Sequence, residues 1–188
     1  MTTDMRTPGR AASMARPLEF LLATSKILGF AILLALSAKL RFPVPGTPVP
    51  ATLQTLVVIL SGALLGPWGG AFTVLTYLAA GIAGAPVFAM GGGVAYLMGP
   101  TGGYLIGFLP AAWIAGFLAA RAKGLWNLWG AFAVASVVIH LFGWAQLSAL
   151  GGPEKALQIG VIPFIAGDLL KALVAASLVR SMTRRSER

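Results

Sequence analysis

One carboxylate and one ammonium group interrupt an apolar segment near the end of the chain, residues 160–172 (GVIPFIAGDLLKA). These two groups belong to Asp168 and Lys171. If the segment is helical from about Ile165, a spacing of three residues places both side chains on one face of the helix, less than one turn apart. A charged group inside a bilayer costs about 2.5 to 3.5 kcal/mol on insertion scales, so such groups usually serve a transport pathway, a ligand or a partner. Asp168 and Lys171 therefore either form a structural ion pair or bind a polar ligand.

The composition of the chain is that of a membrane protein. Of its 188 residues, 57% are hydrophobic and 10% are charged, and the mean hydropathy is +0.85, which lies outside the range of soluble domains. The net charge of +9 comes mainly from basic residues at the termini and in one loop, a pattern that indicates membrane orientation and not nucleic-acid binding.

Several classes of active site are excluded or disfavoured by residue type. The chain has no cysteine and one histidine, and it lacks the nucleophile elbow of serine hydrolases and the phosphate-binding loop of ATPases. We therefore predict no catalytic residues, no metal site and no cofactor, so that any ATP hydrolysis must come from other chains.

Apolar runs separated by helix breakers predict an all-α membrane protein with six transmembrane helices. A membrane domain over 18–182 lies between basic tails, 1–17 and 183–188. An even number of spans places both tails on the same side of the bilayer, and their excess of Lys and Arg predicts that this side is cytoplasmic. The predicted spans are 18–40, 53–65, 71–85, 104–120, 125–150 and, from about Ile165, 165–182.

Two loops at the opposite face differ in character. Four prolines in FPVPGTPVP (42–50) predict a stiff, extended Pro-rich loop. The Gly- and Pro-rich stretch 85–103 predicts non-helical backbone that approaches another group closely, which makes it a second candidate site; the alternative is a plain connection. Gln54, in the first turn of the second span, either satisfies backbone groups at the interface or contacts a ligand.

Two further features are weaker. His140 lies in the middle of the fifth span; a single histidine without a second ligand or nucleophile favours a packed, hydrogen-bonded residue over a ligand contact. Ala31 and Ala35 form a small-xxx-small pair on the first span, which indicates either ordinary packing within the chain or a face on which a partner helix docks.

Five motifs carry a resemblance to a known family. The chain resembles the BioY family, the biotin-binding S components of energy-coupling factor (ECF) transporters. The resemblance implies a six-helix protein in the cytoplasmic membrane of a prokaryote that captures biotin from outside and delivers it with a transmembrane coupling protein and two ATPase subunits. The motifs are VPATLQTL (49–56), GALLGP (62–67), PVF (86–88), GPTGGYLIGF (99–108) and PFIAGDLLKA (163–172).

The resemblance also implies a site for biotin. Asp168 is suited to accept hydrogen bonds from the ureido N–H groups, and Lys171 to donate to the ureido carbonyl or the valerate carboxylate. Since the arginine expected from the family is not evident near the Gly-rich loop of the sequence, the partner of the carboxylate stays open. The alternative function is a self-contained, oligomeric biotin transporter without ATPase subunits. The remaining predicted ligand contacts are Phe88 and Tyr104 on the bicycle and Gln54, Thr101, Gly91, Gly92 and Gly93 as hydrogen-bonding groups, with Ala31 and Ala35 as the partner-docking stripe.

Overall fold

A computed structural model describes the backbone of residues 8–186 and the side chains of 17–184. Almost all of the regular structure is helical, as predicted. The parts of the two basic tails at 1–7 and 187–188 lie outside the described residues. The seven α-helices of the described residues are α1 (Pro8–Lys39), α2 (Gln54–Ile82), α3 (Val94–Met98), α4 (Gly102–Ala119), α5 (Leu125–Gly151), α6 (Pro153–Gly160) and α7 (Ile165–Ser186).

Helix α2 is two antiparallel arms joined by a tight turn. Gly66 has φ 79° and ψ 173°, a backbone conformation that favours glycine, and Pro67 follows it. The amide of Gln54, at one end of α2, donates a hydrogen bond of 2.8 Å to the hydroxyl of Tyr77, near the other end. A straight helix would separate these residues by about 35 Å. The arms, residues 54–65 and 67–82, are therefore the predicted second and third spans.

Five helical stretches of the described residues are long and apolar enough to cross a membrane, one of them being α2. Because α2 reverses direction at Gly66, these stretches supply six membrane segments, as the sequence predicted. The chain is thus a multi-pass membrane protein. Large apolar side chains such as Leu28, Ile32 and Leu36 on α1 are exposed, which suits contact with lipid.

The turn at Gly66 defines one end of the bundle, called the hairpin end. Here three glycines let backbones meet: a Cβ atom on Gly70 would lie 2.5 Å from the Cα of Gly62, and one on Gly116 of α4 would lie 2.6 Å from the nitrogen of Pro67. A groove beside this turn separates it from α1 and is lined by residues that include Glu19 and Lys26.

The opposite end, called the cavity end, contains both predicted loops. Strand β1 (Arg41–Phe42) pairs antiparallel with β2 (Ala51–Thr52), so the Pro-rich loop is closed by a two-stranded ribbon. The ammonium of Lys39 donates to the carbonyl oxygens of Pro86, at 2.5 Å, and Phe88, at 2.8 Å. Arg41 donates to the carbonyl of Ala89, at 2.9 Å. The end of α1 therefore holds the Gly-rich loop in place.

Two short helices correct the sequence-based prediction. The Gly-rich stretch was predicted to be non-helical, but it contains α3, which Gln146 of α5 holds through hydrogen bonds to the carbonyls of Leu97 (2.8 Å) and Gly99 (2.5 Å). The segment before the last span contains α6 and a short 3₁₀ helix, Ile162–Phe164. Both are fixed by tertiary contacts, since helices this short are marginal alone.

Candidate functional site

The first turn of α7 places Asp168 in a cluster of polar side chains within the bundle. Asp168 is 6% exposed, and its carboxylate is contacted by side chains from three helices, α2, α5 and α7 itself. Oδ1 lies 2.8 Å from the ammonium of Lys171 and accepts a hydrogen bond of 3.2 Å from the hydroxyl of Thr55 on α2. Oδ2 lies 2.7 Å from Nε2 of His140 on α5. Lys171 also lies 3.4 Å from the Thr55 hydroxyl.

The charges of this cluster are balanced. A buried carboxylate is stable only when it is paired and hydrogen-bonded, and Lys171, His140 and Thr55 supply those contacts. The predicted placement of Asp168 and Lys171 on one face of the helix is confirmed, and the two side chains form an ion pair there. A carboxylate offers about four acceptor positions. With three protein contacts in place, Asp168 retains acceptor capacity for a ligand N–H group.

The cluster lies against a cavity at the cavity end of the bundle. The empty space in it, including the part open to solvent, is about 570 Å³. Apolar side chains and a few polar groups share its surface. The lining residues are Val49, Pro50, Ala51, Thr52, Gln54, Thr55, Ala89, Tyr96, Thr101, Tyr104, Leu105, Phe108, Ile139, His140, Phe164, Asp168 and Lys171.

Five of the residues predicted as ligand contacts line this cavity, and they come from three helices and one helix cap. Gln54 is anchored on Tyr77, as described above, and Tyr104 donates a hydrogen bond of 2.6 Å to the carbonyl of Gly160. Both side chains are nearly buried, so their polar groups are held in fixed orientations. The five residues are Gln54, Thr101, Tyr104, Asp168 and Lys171.

Phe88 and the glycines 91–93 do not line the cavity. An antiparallel bridge between Phe88 and Gly91 turns the phenyl ring into the protein. The ring is fully buried and packs edge-on against Tyr77, with centroids 5.4 Å apart, and stacks on Tyr96 at 5.1 Å. In this structure Phe88 therefore supports the cavity wall from behind, through Tyr96.

Ala31 and Ala35 face the protein more than its surroundings. Ala31 is 7% exposed and belongs to the core, and Ala35 packs against that core while remaining partly exposed. Their spacing here lets α1 approach α2 closely, which is the intramolecular packing that the sequence left open as an alternative. The docking of a partner on this stripe remains a prediction, and Ala31 is not accessible for it in this structure.

His140 and Thr55 belong to the site although neither was chosen from the sequence as a ligand contact. The interpretation of His140 as a packed, hydrogen-bonded residue is confirmed, and its partner is Asp168 itself. The histidine ring lies edge-on to Tyr104 at 6.2 Å and stacks on Phe164 at 6.3 Å. One signal in the sequence could have indicated this contact. A single histidine and a single aspartate within apolar spans tend to pair with each other when they are buried.

A helical membrane bundle with a buried polar cluster beside a cavity is typical of membrane proteins that bind a small polar solute. The sequence profile of the BioY family matches residues 12–188. The chain belongs to the BioY family.

Named relatives and a solved structure agree with this membership. The chain is 43% identical over 136 residues to the probable biotin transporter BioY of Pyrococcus horikoshii. This alignment covers 72% of this chain and 81% of the relative. It is 39% identical over 135 residues to the biotin transporter BioY of Thermotoga maritima, covering 71% and 80%. These relatives are transporters, not enzymes.

The fold matches the crystal structure of the S-component for biotin from an ECF-type ABC transporter, with a TM-score of 0.81 and 24% identity. The match covers 88% of this chain and 93% of that chain. At this identity the match concerns the fold, and it confirms the predicted six-helix architecture.

Proposed function

We propose that this chain is the substrate-capturing S component of a biotin uptake transporter. It binds biotin from the outer face and delivers it across the membrane with an ATPase-driven energy-coupling module. The observation that carries the proposal is the buried cluster of Asp168, Lys171, His140 and Thr55 beside a cavity. Ionisable groups inside a membrane bundle are rare and usually mark a site for a ligand or an ion.

The chemistry of biotin fits this surface. The ureido ring presents N–H donors, one of which suits the remaining acceptor position of Asp168, and a carbonyl oxygen, which suits Lys171. The bicycle is apolar and suits the walls formed by Tyr104, Leu105 and Phe108. Gln54 and Thr101 complete the hydrogen-bonding surface. A ligand without the urea would leave buried polar groups unpaired, which is the proposed basis of specificity.

The orientation of the chain follows from its basic residues. Six crossings place both termini on one side, and most of the lysines and arginines lie on that side, which is the cytoplasmic side of a prokaryotic inner membrane. The cavity end then faces outward. The basic residues assigned to the cytoplasmic side are Arg6, Arg10, Arg16, Arg121, Lys123, Arg180, Arg184, Arg185 and Arg188, against Lys39, Arg41 and Lys155 outside.

The proposed partners are a transmembrane coupling protein and two ATPase subunits, with Ala31 and Ala35 of α1 near the docking face. A homo-oligomer that works without ATPase subunits is the alternative. Uptake of biotin into cells that lack all ATPase subunits of such modules distinguishes the two: no uptake supports the coupled transporter, and undiminished uptake supports the alternative.

The binding site itself is tested by replacing Asp168 with Asn in detergent-purified protein and titrating with biotin by calorimetry. The amide presents a donor group and removes the negative charge, so we expect affinity to fall at least about a hundredfold, or roughly 3 kcal/mol. Equal affinity of Asp168→Asn and the natural protein would contradict the assignment.

A double variant separates folding from binding. Asp168→Asn alone leaves the Lys171 ammonium without its ion-pair partner, which is destabilising. Adding Lys171→Met removes that buried charge, so thermal stability should recover while biotin affinity does not. Recovery of both would mean that Asp168 acts only by keeping the bundle folded.

A further inference from the structure

His140 has one ring nitrogen committed to the protein and one without a partner. Nε2 lies 2.7 Å from Oδ2 of Asp168. Nδ1 is buried and makes no hydrogen bond, although the ring belongs to the cavity wall. A buried polar atom without a partner is unfavourable, and in a binding protein a ligand group is the natural partner for it.

The contact with Asp168 determines which nitrogen carries the proton. A carboxylate oxygen accepts hydrogen bonds, so Nε2 must be the N–H donor. Asp168 is already paired with the Lys171 ammonium at 2.8 Å, so a neutral imidazole keeps the cluster uncharged, whereas a second cation would add an uncompensated buried charge. In the resulting tautomer Nδ1 bears a lone pair and can only accept.

The two aromatic side chains packed against the ring do not supply a donor for this acceptor. Tyr104 lies edge-on to the ring and its hydroxyl is used by the carbonyl of Gly160. Phe164 stacks on the ring and has no polar group. A ligand that reaches Asp168 lies next to the same imidazole, because the two side chains are in direct contact.

We propose that His140 is a ligand-binding residue: Nε2 holds Asp168 in position, and Nδ1 accepts a hydrogen bond from an N–H donor of the ligand. This inference rests on the proposed function and names the urea as the group recognised. Asp168 accepts from one ureido N–H group and His140 from the other. Recognition of a cyclic urea is then shared between a charged and a neutral acceptor on different helices.

Two substitutions separate the two nitrogens. In His140→Gln the terminal amide can replace Nε2 and still donate to Asp168, but nothing replaces Nδ1. In His140→Asn the shorter side chain can offer an acceptor near Nδ1 but does not reach Asp168. We expect His140→Gln to weaken biotin binding about ten- to a hundredfold, because the ligand N–H is left unpaired.

The two biotin derivatives that carry a methyl group on one ureido nitrogen or the other sharpen this test. Each derivative lacks one N–H donor. Comparing the loss of affinity caused by the methyl group between the natural protein and each variant cancels the effect of the methyl group's size. The natural protein should bind both derivatives less well than biotin. In His140→Gln the penalty for methylating one of the two nitrogens should largely disappear, and in His140→Asn it should persist. Natural affinity and natural discrimination in His140→Gln would overturn the proposal.

A measurement on the natural protein does not depend on any variant being folded. His140 is the only histidine of the chain, so ¹⁵N-histidine labelling with a histidine-free purification tag gives the signals of this one ring. We expect an unprotonated Nδ1 whose resonance moves upfield when biotin is added, with Nε2 still protonated. An Nδ1 that is protonated in the complex, or that does not respond to biotin, would overturn the proposal.

Failure of the inference can be told apart from failure of the proposed function. If the natural protein, folded and monodisperse, does not bind biotin at all, both are wrong. If it binds biotin with an unresponsive Nδ1, only the role of His140 is wrong.

Discussion

The two ends of the bundle are packed in different ways. At the hairpin end the backbones of the two α2 arms and α4 meet directly at Gly62, Gly70 and Gly116. At the cavity end α4 also approaches the α5 backbone at Gly103, but around the cavity polar side chains join the helices, in contacts such as that of His140 with Asp168. Backbone contact leaves no room for a ligand, whereas a layer of side chains does. The difference indicates that one end fixes the fold and the other is built to bind.

The largest effect on stability is expected at the hairpin end. A methyl group on Gly62 would collide with the carbonyl oxygen of Ala112, a backbone atom that cannot move alone. We expect Gly62→Ala to lower the free energy of unfolding by about 3 kcal/mol, the upper range for overpacking. Thermal unfolding and size-exclusion chromatography of the purified protein measure this loss.

Gly130 on α5 provides the matched control, because a Cβ atom there meets nothing within 4 Å. Gly130→Ala should be neutral or should stabilise by about 0.5–1 kcal/mol through helix propensity. Equal behaviour of the two variants would mean that the close backbone contact at Gly62 has no role in stability.

A smaller effect, on the kinetics of binding, is expected at the cavity end. Lys39→Met removes the hydrogen bonds to the carbonyls of Pro86 and Phe88, which hold the loop that supplies Ala89 and Tyr96 to the cavity wall. Because this contact is partly exposed, we expect biotin to dissociate only about three to ten times faster. Stopped-flow tryptophan fluorescence follows the release.

Lys155→Met is the control for charge, since Lys155 is a basic residue of α6 at the same end of the bundle and its side chain makes no hydrogen bond to any of the described residues 17–184. It should leave dissociation unchanged. If Lys39→Met also leaves the rate of biotin dissociation unchanged, the Gly-rich loop is held in place by its other contacts.

The smallest effect is expected for a single hydroxyl. Tyr104→Phe removes the hydrogen bond to the carbonyl of Gly160, which should cost about 1 kcal/mol and lower the melting temperature of the ligand-free protein by about 2–4 °C. Tyr96→Phe removes a buried hydroxyl that has no partner and should be neutral or stabilising. Melting temperatures in the reverse order would contradict this reading of the two hydroxyls.

Local signals in the sequence were sufficient for the spans and for the pair in α7. Apolar runs and breakers predicted six segments, and the Gly66–Pro67 pair marks the reversal within α2. The spacing of Asp168 and Lys171 predicted that both side chains lie on one face of α7, because residues three apart on a helix are neighbours.

Long-range contacts could not be predicted in this way. His140 and Thr55 reach Asp168 from 28 and 113 residues away, and their approach depends on how whole helices pack. Phe88 was expected at the ligand, but a local bridge turns it inward. Helix α6 was missed because eight residues give a weak helical signal and its stability depends on the neighbouring α5.

The hairpin in α2 also has a consequence for the biosynthesis of the protein. Its first arm, residues 54–65, rises only about 18 Å, whereas the hydrocarbon layer is about 30 Å thick. A segment this short spans the bilayer only where the lipid layer is thinned or neighbouring helices cover its ends, because bare backbone at lipid depth is tolerated only under the cover of protein or water. Neither arm is suited to enter the bilayer alone, so we expect the translocon to release both arms together, after α1 is available to cover them.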